Sequence, residues 1–149
     1  MSAHTLDALP AWEDGTVAVL STGGGAPHAI PISTCVRAGD RAVLLALALR
    51  RESLARLRTD PRAALTFLAR DIACTALGTV VVAREPMKIS DRVAAVRLDV
   101  DELQDHRQPL FAMESAVAWR WTDDEARERD AEIRSELRAL AAGPRSSGP

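Results

Sequence analysis

The amino-acid sequence predicts a mainly β protein: a small antiparallel barrel of six to seven strands, with one short internal helix and one C-terminal helix. Three observations carry this. Short apolar or alternating segments recur as far as Thr122, separated by tight turns containing Gly, Pro or Asp. Only the stretch from Arg50 to Asp60 leaves room among them for a helix. A sustained helical period takes over only after Asp123.

Thr16 to Thr22 reads as the first strand, ended by the turn Gly23-Gly24-Gly25. The second runs from about Pro27 to Arg37, and Ala38-Gly39-Asp40 turns it into the third, Arg41 to Leu49. That third strand is apolar almost throughout, which predicts that both its faces are covered. Ser53 is the expected N-cap of a short helix whose Leu54 and Leu57 share one face. Pro61 ends the helix by disfavouring helical geometry at Asp60. Arg62 to Ala69 is the fourth strand and Thr75 to Arg84 the fifth, with Gly78 marking a bulge or a close backbone approach. In the sixth, Val93 to Val100, Val96, Leu98 and Val100 alternate with Arg97 and Asp99. Ser115 to Thr122 is the expected last strand, with Val117, Trp119 and Trp121 on one face as core or dimer packing. From Asp123 to Ala142 a helix carries a narrow stripe of Ile133, Leu137 and Leu140. Asp123, Asp124 and Glu125 complement its positive end. The stripe suits packing either on its own barrel or on a neighbouring subunit.

A chain of 149 residues buries enough surface for one core without a metal or disulfide staple. Residues 1–142 are read as one domain, and Gly143 to Pro149 as a disordered Gly/Pro/Ser tail. The net charge of −2, with no basic tract, argues against nucleic-acid binding. Cys35 and Cys74 stand far apart in apolar surroundings and match no metal-ligand spacing, so buried free thiols in a reducing cytosol are expected. The N-terminus lacks an apolar signal core, and the longest wholly apolar run, Ala42 to Leu49, is too short to span a bilayer. A soluble, cytoplasmic protein follows as the expectation.

The chemistry concentrates where the third strand meets the short helix. Arg50 and Arg51 flank the helix start at Ser53, with Arg56 one turn in. Unpaired amides and the positive helix end favour an anion there, and guanidinium forks suit phosphate. The segment therefore reads as a phosphate seat, and its surroundings suggest a flavin-type cofactor. His28 reads as a histidine at a hairpin mouth, in contact with solvent. Gly23-Gly24-Gly25 lacks GxGxxG spacing and precedes a Pro-containing strand, so it is a turn and not a dinucleotide fingerprint. No Ser-His-Asp, Cys-His or carboxylate pair identifies a catalytic residue, and no metal site is expected.

The ordered set Val19-Leu-Ser-Thr22, Gly25-Ala-Pro-His28, Ile30-Pro-Ile32, Gly39-Asp40, Leu44 to Leu49, Ser53, Leu57 and Asp60-Pro-Arg62 resembles the pyridoxamine 5'-phosphate oxidase-like split β-barrels, which bind flavin or deazaflavin. The resemblance covers about residues 10–100. It implies a homodimer with two cofactor sites at the subunit interface. It also implies that Pro31, Ile32 and Ser33 line the flavin ring edge, while Arg51, Ser53 and Arg56 hold the phosphate with Arg50 as a helper. Many relatives carry Lys or Arg where this chain has Ser53. The implied activity is that of a flavin-dependent oxidoreductase acting on a small molecule, with FMN ahead of the deazaflavin F420. The alternatives are a non-catalytic cofactor carrier and a haem-binding protein. In the oxidoreductase reading the flavin carries the hydride chemistry itself.

Overall fold

In the computed structural model, which describes residues 4–143, seven antiparallel strands curl into a half-barrel with two helices outside it. The elements are β1 (Ala18–Thr22), β2 (His28–Ile32), β3 (Val36–Arg37), β4 (Ala42–Ala48), α1 (Glu52–Thr59), β5 (Arg62–Ala69), β6 (Ile72–Arg84), β7 (Val93–Asp105) and α2 (Asp124–Ala142). Their order across the sheet is β2-β1-β5-β6-β7-β4-β3.

That order has a geometric consequence. β2 and β3 are opposite edges of the sheet, yet only Ser33-Thr34-Cys35 joins them. From Ile32 to Val36 the chain reaches at most about 14 Å when fully extended. The sheet must therefore curl until its two edges meet. They meet without completing a ladder, leaving a seam. The predicted second strand is thus two strands on two edges. Thr34 ties the break, its hydroxyl receiving the Ala46 amide (3.3 Å) and donating to the Ala46 carbonyl (3.4 Å).

The barrel interior is filled by inward residues of every long strand, among them Leu20, Leu45, Leu65, Phe67, Leu98 and Leu103. Trp12 stacks on Phe67 with ring centroids 4.2 Å apart, and its indole N–H donates to the Cys35 carbonyl at 2.9 Å. Leu54 and Leu57 of α1 join this core. β6 and β7 extend beyond their predicted limits because they pair with each other along most of their length. Gly78 permits that pairing: a Cβ there would lie 1.9 Å from the Asp99 carbonyl oxygen, and the register shifts between Leu77 and Gly78.

The stripe of α2 packs on its own barrel. Leu137 sits in a second cluster with Val36, Leu44, Met87 and Ala95. The Asp123 carboxylate caps the helix by accepting the Ala126 amide at 2.9 Å. Glu136 accepts the Lys88 and Ile89 amides at 2.8 Å and the Arg84 guanidinium at 3.0 Å, fastening the β6–β7 connection to α2. These contacts hold the Glu136 carboxyl below its ordinary range against the effect of burial.

Two expectations are corrected. Residues 115–122 form no strand. Alternation is only half of what a strand needs; it also needs a ladder partner, and this segment pairs with neither edge of the sheet. Val117 (64% exposed), Trp119 and Trp121 (39% each) therefore face outward and do not enter the core. Ser53 is not the N-cap of α1 either. Arg51 occupies that position, with no side-chain capping bond, and Ser53 lies inside the first turn, 1% exposed. The disordered-tail reading falls on residues 144–149, outside the described residues.

Candidate functional site

The seam between β2 and β4 opens into a cleft of about 190 Å³. Ile30, Pro31, Ile32 and Ser33 line one wall, Ala46 and Ala48 the other, and Arg51 stands at the end. β2 is an edge strand, so backbone N–H and C=O groups on its free side have no ladder partner. Arg51 makes no side-chain hydrogen bond or ion pair among the described residues. Four of the predicted residues, Pro31, Ile32, Ser33 and Arg51, thus come together in one concave place. Ile30, Thr34, Ala46 and Ala48 were not singled out in the sequence. They are small or apolar residues whose role depends on two edges meeting.

Arg50, Ser53 and Arg56 go elsewhere. Arg50 lines a neighbouring depression. Arg56 is occupied: its Nε donates to Glu52 at 2.7 Å, and its guanidinium reaches the carbonyls of Gly23 (3.2 Å) and Ala26. It therefore pins the glycine turn to α1. Gly24 suits that contact, since its φ of +77° is left-handed and a Cβ would lie 3.2 Å from the Arg56 carbonyl.

Ser53 belongs to a relay. Its hydroxyl lies 3.2 Å from His28 Nε2, and His28 Nδ1 lies 3.2 Å from the Glu52 carboxylate. A proton on Nδ1 donates to the carboxylate, and in that neutral tautomer Nε2 is the acceptor for the Ser53 hydroxyl. The order Ser–His–Glu matches that of a nucleophile relay. Ser53 is buried, however, and lines none of the clefts described here, so the constellation fastens β2 to α1. Sequence reading left His28 at a solvent-facing hairpin mouth. The Thr22–His28 pairing instead holds the ring over the first turn of α1. Arg56, by hydrogen bond and charge, and then His28 lower the Glu52 pKa.

Both cysteines are buried free thiols. Burial pushes the Cys35 thiol up to about 12. Burial, reinforced by Asp105, pushes Cys74 to about 11. Trp119 donates its indole N–H to the Gly15 carbonyl at 2.8 Å and meets Trp121 edge-on, with ring centroids 5.3 Å apart. Among the described residues no His/Cys/Asp/Glu group is arranged to hold a metal ion, and no helix is long and apolar enough to cross a membrane.

No family model matches the chain, and neither does any curated protein. Solved structures do match. A pyridoxamine 5'-phosphate oxidase-like protein from Lactobacillus delbrueckii superposes with a TM-score of 0.54 at 16% identity, over 69% of this chain and 98% of its own. A second, from Listeria innocua, gives 0.52 at 10% identity over 62% and 90%. A heme binding protein from Mycobacterium smegmatis gives 0.50 at 17% identity over 60% and 48%. At such identities the likeness is one of fold alone. The strand order, the curl and the matches together make this chain a split β-barrel with the fold of the pyridoxamine 5'-phosphate oxidase-like proteins.

Proposed function

We propose that the chain binds FMN in the seam cleft at a homodimer interface and acts as a flavin-dependent oxidoreductase on a small molecule. The observation that carries this reading is the meeting of an unpaired strand edge with a free guanidinium in one cleft. Backbone groups of β2 suit the polar edge of a flavin ring, and Arg51 suits its phosphate. Bound there, the flavin supplies hydride and electron transfer; the chain's part is to orient it and hold its phosphate.

The cleft is small for a ligand pocket, which typically measures about 300–1,000 Å³. A second copy of the chain supplies the missing wall. The outer face of β2, β1, β5 and β6 supports this. There the register aligns Pro31–Val19–Thr66–Thr75 and Ala29–Ser21–Ala64–Leu77, rows without one charged side chain. α2 covers only the β3–β4 side of the sheet. Pro31 belongs both to this bare face and to the cleft.

Haem is the second reading, favoured by the heme binding protein among the structural neighbours. Both nitrogens of His28, the histidine nearest the cleft along the chain, are engaged and not free to ligate iron. The deciding experiment is the visible spectrum of the purified protein, alone and after adding FMN, F420 or haem, with sedimentation alongside. A flavin band on a dimer supports the proposal. A monomer with no flavin uptake, or a Soret band in place of the flavin band, overturns it.

A further inference from the structure

Beside the seam cleft, the corner between β4 and α1 holds a second depression. Leu49, Arg50, Asp91 and Arg92 enclose about 370 Å³. The Leu49 amide donates to the Arg92 carbonyl at 2.9 Å, and Ala48 pairs with Val93, so the corner is fixed by backbone. Four consecutive residues divide between the two hollows: Ala48 and Arg51 line the first, Leu49 and Arg50 the second.

Charge distinguishes this corner. Most of the described arginines meet carboxylates, as Arg58 does Glu85, Arg62 does Asp60, and Arg84 does Glu136; Arg70, Arg120 and Arg129 make no such pair either, but none of them lines this depression. Arg50, Arg51 and Arg92 have no side-chain partner among the described residues. Three guanidiniums against the single carboxylate of Asp91 leave a local positive excess in a chain whose net charge is −2. Such an excess draws an anion. Arg92 also borders a groove against α2, where Glu125, Glu128 and Glu132 outnumber Lys88 and Arg129 and do not pair with Arg92. That excess of carboxylates disfavours an anion in the groove and leaves the Arg50 side as the better seat.

We propose that Arg50 and Arg92 form a second anion subsite, separate from the phosphate seat at Arg51, which receives a carboxylate or phosphoryl group. Its use rests on reading the seam cleft as the cofactor's: the anionic group belongs either to the substrate that meets the cofactor or to an extended acidic tail of the cofactor itself. The subsite's existence does not depend on that reading.

Inorganic pyrophosphate is the probe, titrated calorimetrically into the apo protein, the FMN-loaded protein and single Arg→Gln variants. All three arginines are exposed, so the variants are expected to fold. Two pyrophosphates are expected on the apo protein and one on the FMN-loaded protein. Arg50→Gln and Arg92→Gln weaken the one that remains by about tenfold while leaving FMN affinity within about twofold, and Arg51→Gln does the converse. F420 that expels both pyrophosphates identifies the subsite with a cofactor tail; F420 that expels only one identifies it with the substrate. FMN-loaded protein that takes up no pyrophosphate, or uptake indifferent to Arg50→Gln and Arg92→Gln, overturns the subsite. If FMN does not bind at all, the flavin reading fails, and the apo stoichiometry still decides. Two pyrophosphates separately sensitive to Arg51→Gln and Arg92→Gln keep the subsite, and one removes it.

Discussion

His28 and Ser53, 25 residues apart in sequence, meet with Nε2 3.2 Å from Oγ. The serine is buried, so the imidazole is the partner that its hydroxyl found on leaving water. His28→Ala orphans that hydroxyl and should cost about 1–3 kcal/mol, a fall in Tm of roughly 3–10 °C at this chain length. Ser53→Ala removes the group that needs a partner and should cost less than about 1 kcal/mol. The double variant should be no less stable than His28→Ala alone. Calorimetry on the three proteins checks this, and strictly additive losses would show that the bond contributes nothing.

Arg51 and Arg56 lie close in sequence but have different work. Arg51→Ala should weaken FMN binding by about ten- to a hundred-fold with little change in apo stability. Arg56→Ala should loosen the glycine turn, lowering Tm and raising protease sensitivity near Gly24. Equal effects of the two on FMN affinity, with no change in Tm for Arg56→Ala, would mean that both serve the ligand.

Gly78→Ala should be among the most damaging conservative changes in the chain. Its methyl group meets backbone at 1.9 Å, which no rotamer relieves. A loss of about 3 kcal/mol or more is expected in urea unfolding. Gly39→Ala, where no atom lies within 4 Å of the added carbon, costs only left-handed strain, about 1–2 kcal/mol. A Gly78→Ala protein as stable as Gly39→Ala would refute the close approach.

Asp60 accepts the Arg62 side chain (3.0 and 2.8 Å) and the Arg62 amide (3.1 Å), which lower its pKa from 3.8 to about 2. A depressed carboxylate contributes stability above its unfolded pKa and loses it as pH falls through the folded one. The advantage of the parent over Asp60→Asn should therefore be constant above about pH 5 and decline from about pH 4 downward, with a fraction left at about pH 2, where the folded-state carboxyl is about half ionised. Unfolding curves at stepped pH measure it, and a difference as large at about pH 2 as above about pH 5 would contradict the assignment.

Val19→Glu places a charge in the middle of the bare sheet face. Under the proposed assembly it should shift sedimentation from dimer to monomer and lower FMN uptake together, while far-UV dichroism stays unchanged. A Val19→Glu protein that remains dimeric would move the interface to another face.

What was legible in the sequence is what local chemistry decides. Gly39 and Pro61 end elements by their own backbone preferences, and Gly78 announces a close approach wherever its strand lies. The start of α2 is marked by consecutive acidic residues, Asp123 to Glu125, of which Asp123 is the cap. What was not legible depends on distant partners. Whether Pro27 to Arg37 is one strand or two depends on which edges it reaches, and that follows from the curl of the whole sheet. Trp119 and Trp121 alternate as a strand would, but their segment pairs with neither edge of the sheet. Ser53 has the side chain of a cap, yet a histidine from β2 claims it.

The crossing at Ser33-Thr34-Cys35 means that the barrel can never seal itself. With one edge strand handed directly to the other, a line of main-chain donors and acceptors stays open beside the cleft. Substitution cannot delete an amide. Recognition written in main chain outlasts the side chains around it, so a seam of this kind gives sequence drift little to erase and lets new ligands be tried by changing only the rim.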